Sequence, residues 1–176
     1  GKYGLVFFYP LDFTFVCPSE LIALDHRMDK FRALGVEVVA VSIDSQFTHN
    51  AWRNTAVKDG GIGPVTYTMA ADINHDICRA YDVETAGGVA FRGAFIIDRE
   101  GTVRAQLVND LPLGRNIDEL IRLVEALQFT DQHGEVCPAG WNKGDKGMNA
   151  SPAGVAAYLA ENAAAPRFEV MITIVS

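Results

Sequence analysis

The chain is short of cysteine. Its 176 residues include three, Cys17, Cys78 and Cys137, too few and odd in number for a disulfide scaffold. No two are spaced CxxC, which leaves no local dithiol redox motif. Long apolar runs are missing too, since none approaches the roughly 18–20 residues that cross a bilayer. Lys2 to Phe8 superficially resembles a secretory signal, but its apolar core is only Leu5-Val6-Phe7-Phe8, and Pro10 and Asp12 follow without a small-residue cleavage site. Basic charge is in the minority, with 15 Lys and Arg against 22 Asp and Glu, a net charge of −7 and a pI near 5.0. A phosphate-binding surface needs clustered cations, so nucleic acid and anionic membranes are excluded as default partners. At 49% hydrophobic and 21% charged residues, the chain is not a disordered tail. Its length suits one domain with a full core. The expectation is a cytoplasmic protein whose thiols are reactive or buried.

Hydrophobic periodicity predicts an α/β protein. Leu5 to Tyr9 is a continuous apolar run, suited to a strand buried on both faces of a parallel sheet. From Pro18 to Leu34, apolar residues at 21, 24, 28, 31 and 34 predict one amphipathic helix, opened by Pro18 and ended by Gly35. Val36 to Ile43 reads as a second buried strand, completing a βαβ unit. A short helix over Phe47 to Thr55, a glycine loop at 60–64, a weak strand over Thr66 to Ala70 and a short helix with Ile73, Ile77 and Ala80 on one face follow. Gly93 to Ile97 and Thr102 to Val108 are joined by Asp98-Arg99-Glu100-Gly101, a turn that predicts an antiparallel hairpin. Asn116 is placed to cap the next helix, with Glu119 reaching back and Ile117, Leu120, Ile121, Val124 and Leu127 on its buried face. This order is that of a thioredoxin-like fold with additions. The expected organisation is a core over 1–129, a polar arm with a short helix over 130–162 and a tail over 163–176. Phe168 to Val175 in that tail reads as a strand.

Cys17 stands out by position, just after the first strand and just before Pro18 opens a helix. Unpaired N–H groups and the positive end of the helix dipole favour a thiolate there. Thr14, three residues earlier, can donate to that thiolate or to an oxygen beside it, and Pro10 limits access of water. For an arbitrary cysteine the bland reading is a small buried hydrophobe; the strand-to-helix position with Thr14 and Pro18 weighs against it here. Cys78, within Asp76-Ile77-Cys78-Arg79, has no partner spacing and is read as a buried bystander. His75 with Cys78, and His133 with Cys137, have ligand-like spacing, but a structural zinc site needs four converging ligands. No metal and no cofactor are expected.

Three ordered motifs now carry a resemblance. Pro10 to Cys17 fits PxxxTxxC, which resembles the peroxidatic site of peroxiredoxins. Val136-Cys137-Pro138-Ala139-Gly140-Trp141 is similar to the segment around their resolving cysteine, and Phe91-Arg92-Gly93-Ala94-Phe95-Ile96-Ile97-Asp98 to their active-site arginine strand. The resemblance runs from about residue 1 to 162 and is closest to the typical 2-Cys peroxiredoxins of the bacterial alkyl hydroperoxide reductase type. It implies a thiol peroxidase acting on hydrogen peroxide and alkyl hydroperoxides. Cys17 would attack, Thr14 and Arg92 would orient and stabilise the peroxide oxygens, and Pro10 would shield the site. Glu20 and Arg115 would hold Arg92, or would alternatively only satisfy charge at a helix terminus. Cys137 of a partner subunit would resolve the Cys17 sulfenic acid. The resemblance further implies a homodimer, commonly built into a decameric ring, and a disulfide reductase or thioredoxin-like reductant.

Gly60-Gly61-Ile62-Gly63 resembles a segment of oxidation-sensitive peroxiredoxins, and Tyr158-Leu159 stands where that class has Tyr-Phe. The family's usual thirty or so residues before the first strand, including a hairpin, are not in this sequence. Its tail from Ala163 is expected to substitute as a strand, or to be a frameshifted or vector-derived end. Two other functions remain open from the residues: a dithiol–disulfide oxidoreductase, disfavoured by the missing CxxC, and a redox-switched ring-forming holdase.

Overall fold

A computed structural model describes residues 1–163. The tail strand expected over Phe168 to Val175 lies outside the described residues. The chain forms two compact units, Gly1–Val124 and a second from Glu125 onward.

The first unit is built on a five-stranded sheet: β1 (Tyr3–Phe8), β2 (Val36–Ser42), β3 (Thr68–Ala71), β4 (Arg92–Ile97) and β5 (Val103–Asn109). The order β3-β2-β1-β4-β5 puts β1 in the middle. Leu5, Phe7 and Phe8 are fully buried there, as expected for a strand covered on both faces. The sheet is mixed, however, and not parallel throughout. β1 runs parallel to β2 but antiparallel to β4, and β4 is in turn antiparallel to β5. A hairpin needs only a tight turn, so one of its strands must oppose its neighbour.

Helices cover the sheet: α1 (Cys17–Asp25), α2 (Met28–Ala33), α3 (Gln46–Asn54), α4 (Asp76–Ala80) and α5 (Ile117–His133), with a 3₁₀ turn at Val57–Asp59. The single helix expected over Pro18 to Leu34 is two. His26 and Arg27 close a turn by donating to the carbonyls of Ile22 and Leu24, and Arg27 leaves helical geometry at φ −109° and ψ 0°. The bend is anchored on both sides: Asp25 accepts from the backbone and hydroxyl of Thr66, and Arg27 forms a fork with Asp118. Leu21, Leu24, Met28 and Phe31 all stay buried across the break, so the apolar spacing survived although the helix did not.

Two smaller expectations also fail. Ile73 precedes α4 and is exposed; Asp72, not an apolar face, organises that helix by accepting from the backbone N–H of Ile77 and Cys78. Asn116 does accept from the Asp118 N–H at the start of α5, but Glu119 does not reach back, since both its oxygens accept from Arg122 one turn later. Trp52 is fully buried on α3 and donates its indole N–H to Gly60. Cys78 is fully buried in a cluster with Phe8, Val41, Val83, Ala90 and Phe95.

The second unit holds the last turns of α5, a Val136–Met148 antiparallel bridge and α6 (Pro152–Asn162). Ser151 caps α6 by accepting from the Gly154 N–H, and Pro152 follows at the first helical position, where its missing N–H costs nothing. Trp141 is the buried anchor, packed on Phe129 with centroids 4.9 Å apart and donating to the carbonyl of Asp145.

Candidate active site

The loop from Tyr9 to Val16 carries the chain from the central strand β1 into α1, and Cys17 is the first residue of that helix. Its sulfur is fully buried and two donors converge on it. The Thr14 hydroxyl lies 3.0 Å from Sγ and 2.7 Å from the carbonyl of Leu11. One hydroxyl has one proton to give. With Cys17 as a thiol it serves Leu11; with Cys17 as a thiolate it can turn to the sulfur. Arg92 Nη1, from the first residue of β4, approaches Sγ at 3.5 Å. Pro10 is buried at the start of the same loop.

Arg92 is fixed at three points. Its Nε donates to the carbonyl of Leu111 at 2.7 Å, and its Nη1 also donates to Glu20 Oε2 at 2.8 Å. Glu20 lies three residues after Cys17 on α1, on the same helix face. Its carboxylate is saturated, for Arg115 donates to it from the backbone N–H, Nε and Nη2 at 2.8–3.0 Å. Arg115 spends its remaining Nη1 on the carbonyl of Gly93, and its guanidinium carbon sits 3.4 Å from the centroid of Phe7. Burial alone would raise the Glu20 pKa; the hydrogen bonds and charge of Arg115, with the charge of Arg92, outweigh it and hold the carboxyl below its ordinary value. Cys17, Thr14, Arg92, Glu20 and Arg115 are thus brought into one connected cluster.

Cys137 lies in the second unit. It is half-buried and has free-thiol status, as do Cys17 and Cys78. Its S–H points to the carbonyl of Ala126 at 3.5 Å, with the Thr130 hydroxyl at 3.7 Å.

Three further polar residues, Tyr9 and Asp12 in this loop and His49 against it, are not singled out by the sequence. Asp12 is buried, and its two carboxylate oxygens meet Tyr9 Oη at 2.6 Å and His49 Nδ1 at 2.8 Å. His49 Nε2 meets the carbonyl of Ala70 at 3.2 Å. Asp12 and His49 stand 37 positions apart, so no spacing rule joins them. The available signal is Asp12 alone, a carboxylate between Leu11 and Phe13 that needs a partner if buried.

The chain matches known proteins over most of its length. Residues 1–106 match the AhpC/TSA family, and residues 126–161 match the C-terminal domain of 1-Cys peroxiredoxin; in this chain the latter stretch includes Cys137. The chain is 57% identical to alkyl hydroperoxide reductase C of Helicobacter pylori over 163 residues, 92% of this chain and 82% of that protein. It is 57% identical to peroxiredoxin-2 of Macaca fascicularis over 145 residues, 82% of this chain and 73% of the other. Among solved structures, the reduced 2-Cys peroxiredoxin of Plasmodium vivax superposes with a TM-score of 0.89 at 46% identity, covering 90% of this chain and 82% of that one. The fold is accordingly the thioredoxin-like one of peroxiredoxins. Matches of this depth, over a helix that starts at a buried cysteine facing a threonine and an arginine, show that the chain belongs to the AhpC/TSA family and is a thiol peroxidase.

Proposed function

We propose that Cys17 is the thiol that attacks peroxide and that Cys137 of a partner subunit resolves it. One observation carries the reading: Thr14 and Arg92 converge on the Cys17 sulfur from different elements, with Glu20 and Arg115 fixing the arginine. In the proposed reaction the thiolate sulfur attacks the nearer peroxide oxygen and the O–O bond breaks. The leaving oxygen takes a proton and departs as water or an alcohol, and Cys17 becomes a sulfenic acid. Negative charge grows on the leaving oxygen, where a fixed guanidinium and a hydroxyl stabilise the transition state more than the ground state. Pro10 shields the sulfur from water. The Cys137 thiolate then attacks the Cys17 sulfur, forming a disulfide; the S–O bond breaks and the hydroxide takes up the proton given up by the Cys137 thiol to leave as water. In this reading residues 1–129 carry the attack and 130–162 carry the resolving thiol.

The substrates are hydrogen peroxide and alkyl hydroperoxides, and a disulfide reductase or thioredoxin-like protein regenerates the dithiol. The assembly is a homodimer, built into a decamer, working in the cytoplasm. Names of relatives support the substrate class, since one is called an alkyl hydroperoxide reductase and another a thioredoxin peroxidase. No helix among the described residues is long and apolar enough to cross a membrane.

The test compares Cys17→Ser with Cys137→Ser. Turnover with a disulfide reductant should vanish in the first. The second should still consume one equivalent of peroxide and accumulate a sulfenic acid that a dimedone-type reagent traps. Mild peroxide should link two wild-type chains through Cys17 and Cys137, seen as a doubled mass without reductant. Retained turnover in Cys17→Ser, or a linkage within one chain, overturns the corresponding step.

A further inference from the structure

The loop that aims Thr14 at Cys17 is held in a conformation it would not adopt unaided. Phe13, between Asp12 and Thr14, has φ +54°, a left-handed geometry in which Cβ crowds the backbone of any residue but glycine. Such a conformation persists only where its surroundings over-determine it. On the Thr14 side one bond does so, the hydroxyl to the carbonyl of Leu11. That bond is the one Thr14 releases when its proton turns to sulfur.

The Asp12 side is far more heavily fixed. The Asp12 N–H donates to Asp44 Oδ2 at 2.9 Å, and the Ser42 hydroxyl donates to the same oxygen at 2.7 Å. The Asp12 side chain is completely buried, with one oxygen on Tyr9 Oη and the other on His49 Nδ1. Helix α3 supplies both His49 and Trp52, and Trp52 packs on the Phe13 ring at 5.7 Å between centroids.

Each nitrogen of His49 faces an oxygen: Asp12 and Tyr9 around Nδ1, and the carbonyl of Ala70 at Nε2. The tyrosine proton goes to Asp12, which leaves Tyr9 Oη an acceptor toward the ring. An imidazole that donates from both nitrogens carries a proton on each and a positive charge. The groups facing it are Tyr9 and Asp12 from the loop, Asp44 from the β2–α3 connection and the Ala70 carbonyl from β3. Burial works against that charge, and Asp12, Ala70 and Asp44 outweigh it, so the pKa of His49 is raised.

We propose that Asp12 and His49 are positioning residues for peroxide reduction: their buried pair pins the Cys17 loop in its left-handed turn at Phe13 and so keeps Thr14 aimed at the sulfur. The proposal rests on the reading of Thr14 given above. Neither residue touches the sulfur; they act through Thr14.

A double-mutant cycle tests this. The rate constant for Cys17 oxidation by hydrogen peroxide is measured in single turnover for wild type, Thr14→Val, His49→Gln and the double variant. His49→Gln should slow oxidation by about tenfold to a hundredfold, as misplacing a group by an ångström does. The double variant should be no slower than Thr14→Val, because a residue that acts through another adds nothing once that other is gone. The wild-type rate constant should also fall at alkaline pH as His49 gives up its Nε2 proton, and with it the bond to the Ala70 carbonyl that seats the ring against Asp12, and this limb should be missing from His49→Gln. If His49→Gln does not fold, Tyr9→Phe removes one bond to Asp12 while keeping the ring, and enters the same cycle with a smaller loss. Independent, multiplying losses, or an unchanged rate constant in the folded variant, overturn the proposal. An unchanged rate in Thr14→Val alone would instead refute the role of Thr14, a different failure.

Discussion

Cys17 and Cys78 are both completely buried, both in the first unit, and opposite in surroundings. The sulfur of Cys17 faces a hydroxyl and a guanidinium, groups that donate. Cys78 faces Asp72, a carboxylate that can only accept. Burial first, then the hydrogen bond and charge of Asp72, push the Cys78 thiol up to about 12. On the roles proposed above, exposure does not sort a reactive thiol from an inert one. The sign of what the chain places around the sulfur does, because a thiolate is a charge and needs donors wherever water is excluded.

The widest separation should come from removing the sulfurs themselves. Cys17→Ser should cost on the order of 10³-fold or more in peroxide turnover, as loss of a nucleophile does. Cys78→Ala should leave turnover unchanged and lower stability by about 1 kcal/mol through a small cavity; steady-state peroxide consumption and thermal unfolding read the two. Next, taking the cation from beside Cys17 should narrow the contrast. Arg92→Met should slow Cys17 oxidation by about 10²–10³-fold, the usual cost of losing a donor aimed at developing charge, with stopped-flow oxidation as the measurement.

Glu20→Gln should act more through stability than chemistry. It leaves Arg115 and Arg92 buried without their counter-charge, at a cost of about 3 kcal/mol. The Glu20 carboxyl titrates below its ordinary value of 4.5 when folded. Its contribution is therefore complete above that value and is lost as pH falls through the lower folded one. Wild type should lose stability below about pH 4.5, while Glu20→Gln should show a shallower acid limb by circular dichroism. The smallest change sharpens the comparison from the other side. Asp72→Asn removes the carboxylate from Cys78 but not its burial, so the thiol pKa should fall while staying above normal. In a Cys17→Ser, Cys137→Ser background, alkylation of Cys78 at pH 9 should speed up by roughly threefold to tenfold.

Much of the site is legible in the sequence, for a reason visible in the residues. Pro10, Thr14, Cys17 and Glu20 lie within one loop and one helical turn, where spacing and geometry are nearly the same thing. Arg92 was reachable only through the family resemblance, 75 positions away. The Asp12–His49–Tyr9 group was not seen, because pairing a buried carboxylate with an imidazole across 37 positions is a tertiary event. The α1–α2 break escaped for the opposite reason. The apolar period runs unbroken through His26 and Arg27, and only Thr66 and Asp118, far along the chain, reveal the turn they stabilise. The mixed sheet likewise follows from where the β4–β5 hairpin docks, which a run of apolar residues in β1 does not encode.

The same distances bear on how the protein is made. Synthesis runs from the N-terminus, so Cys17 leaves the ribosome long before Arg92 and longer before Arg115, which reach it and Glu20 across 75 and 95 positions. Until those arginines arrive, Glu20 lacks the counter-charges of the folded protein and the sulfur lacks its guanidinium neighbour. A growing chain therefore carries Cys17 without its arginine through the period when it is least protected. On the role proposed for Cys17, the cluster that would activate it is complete only once the sheet has closed around it.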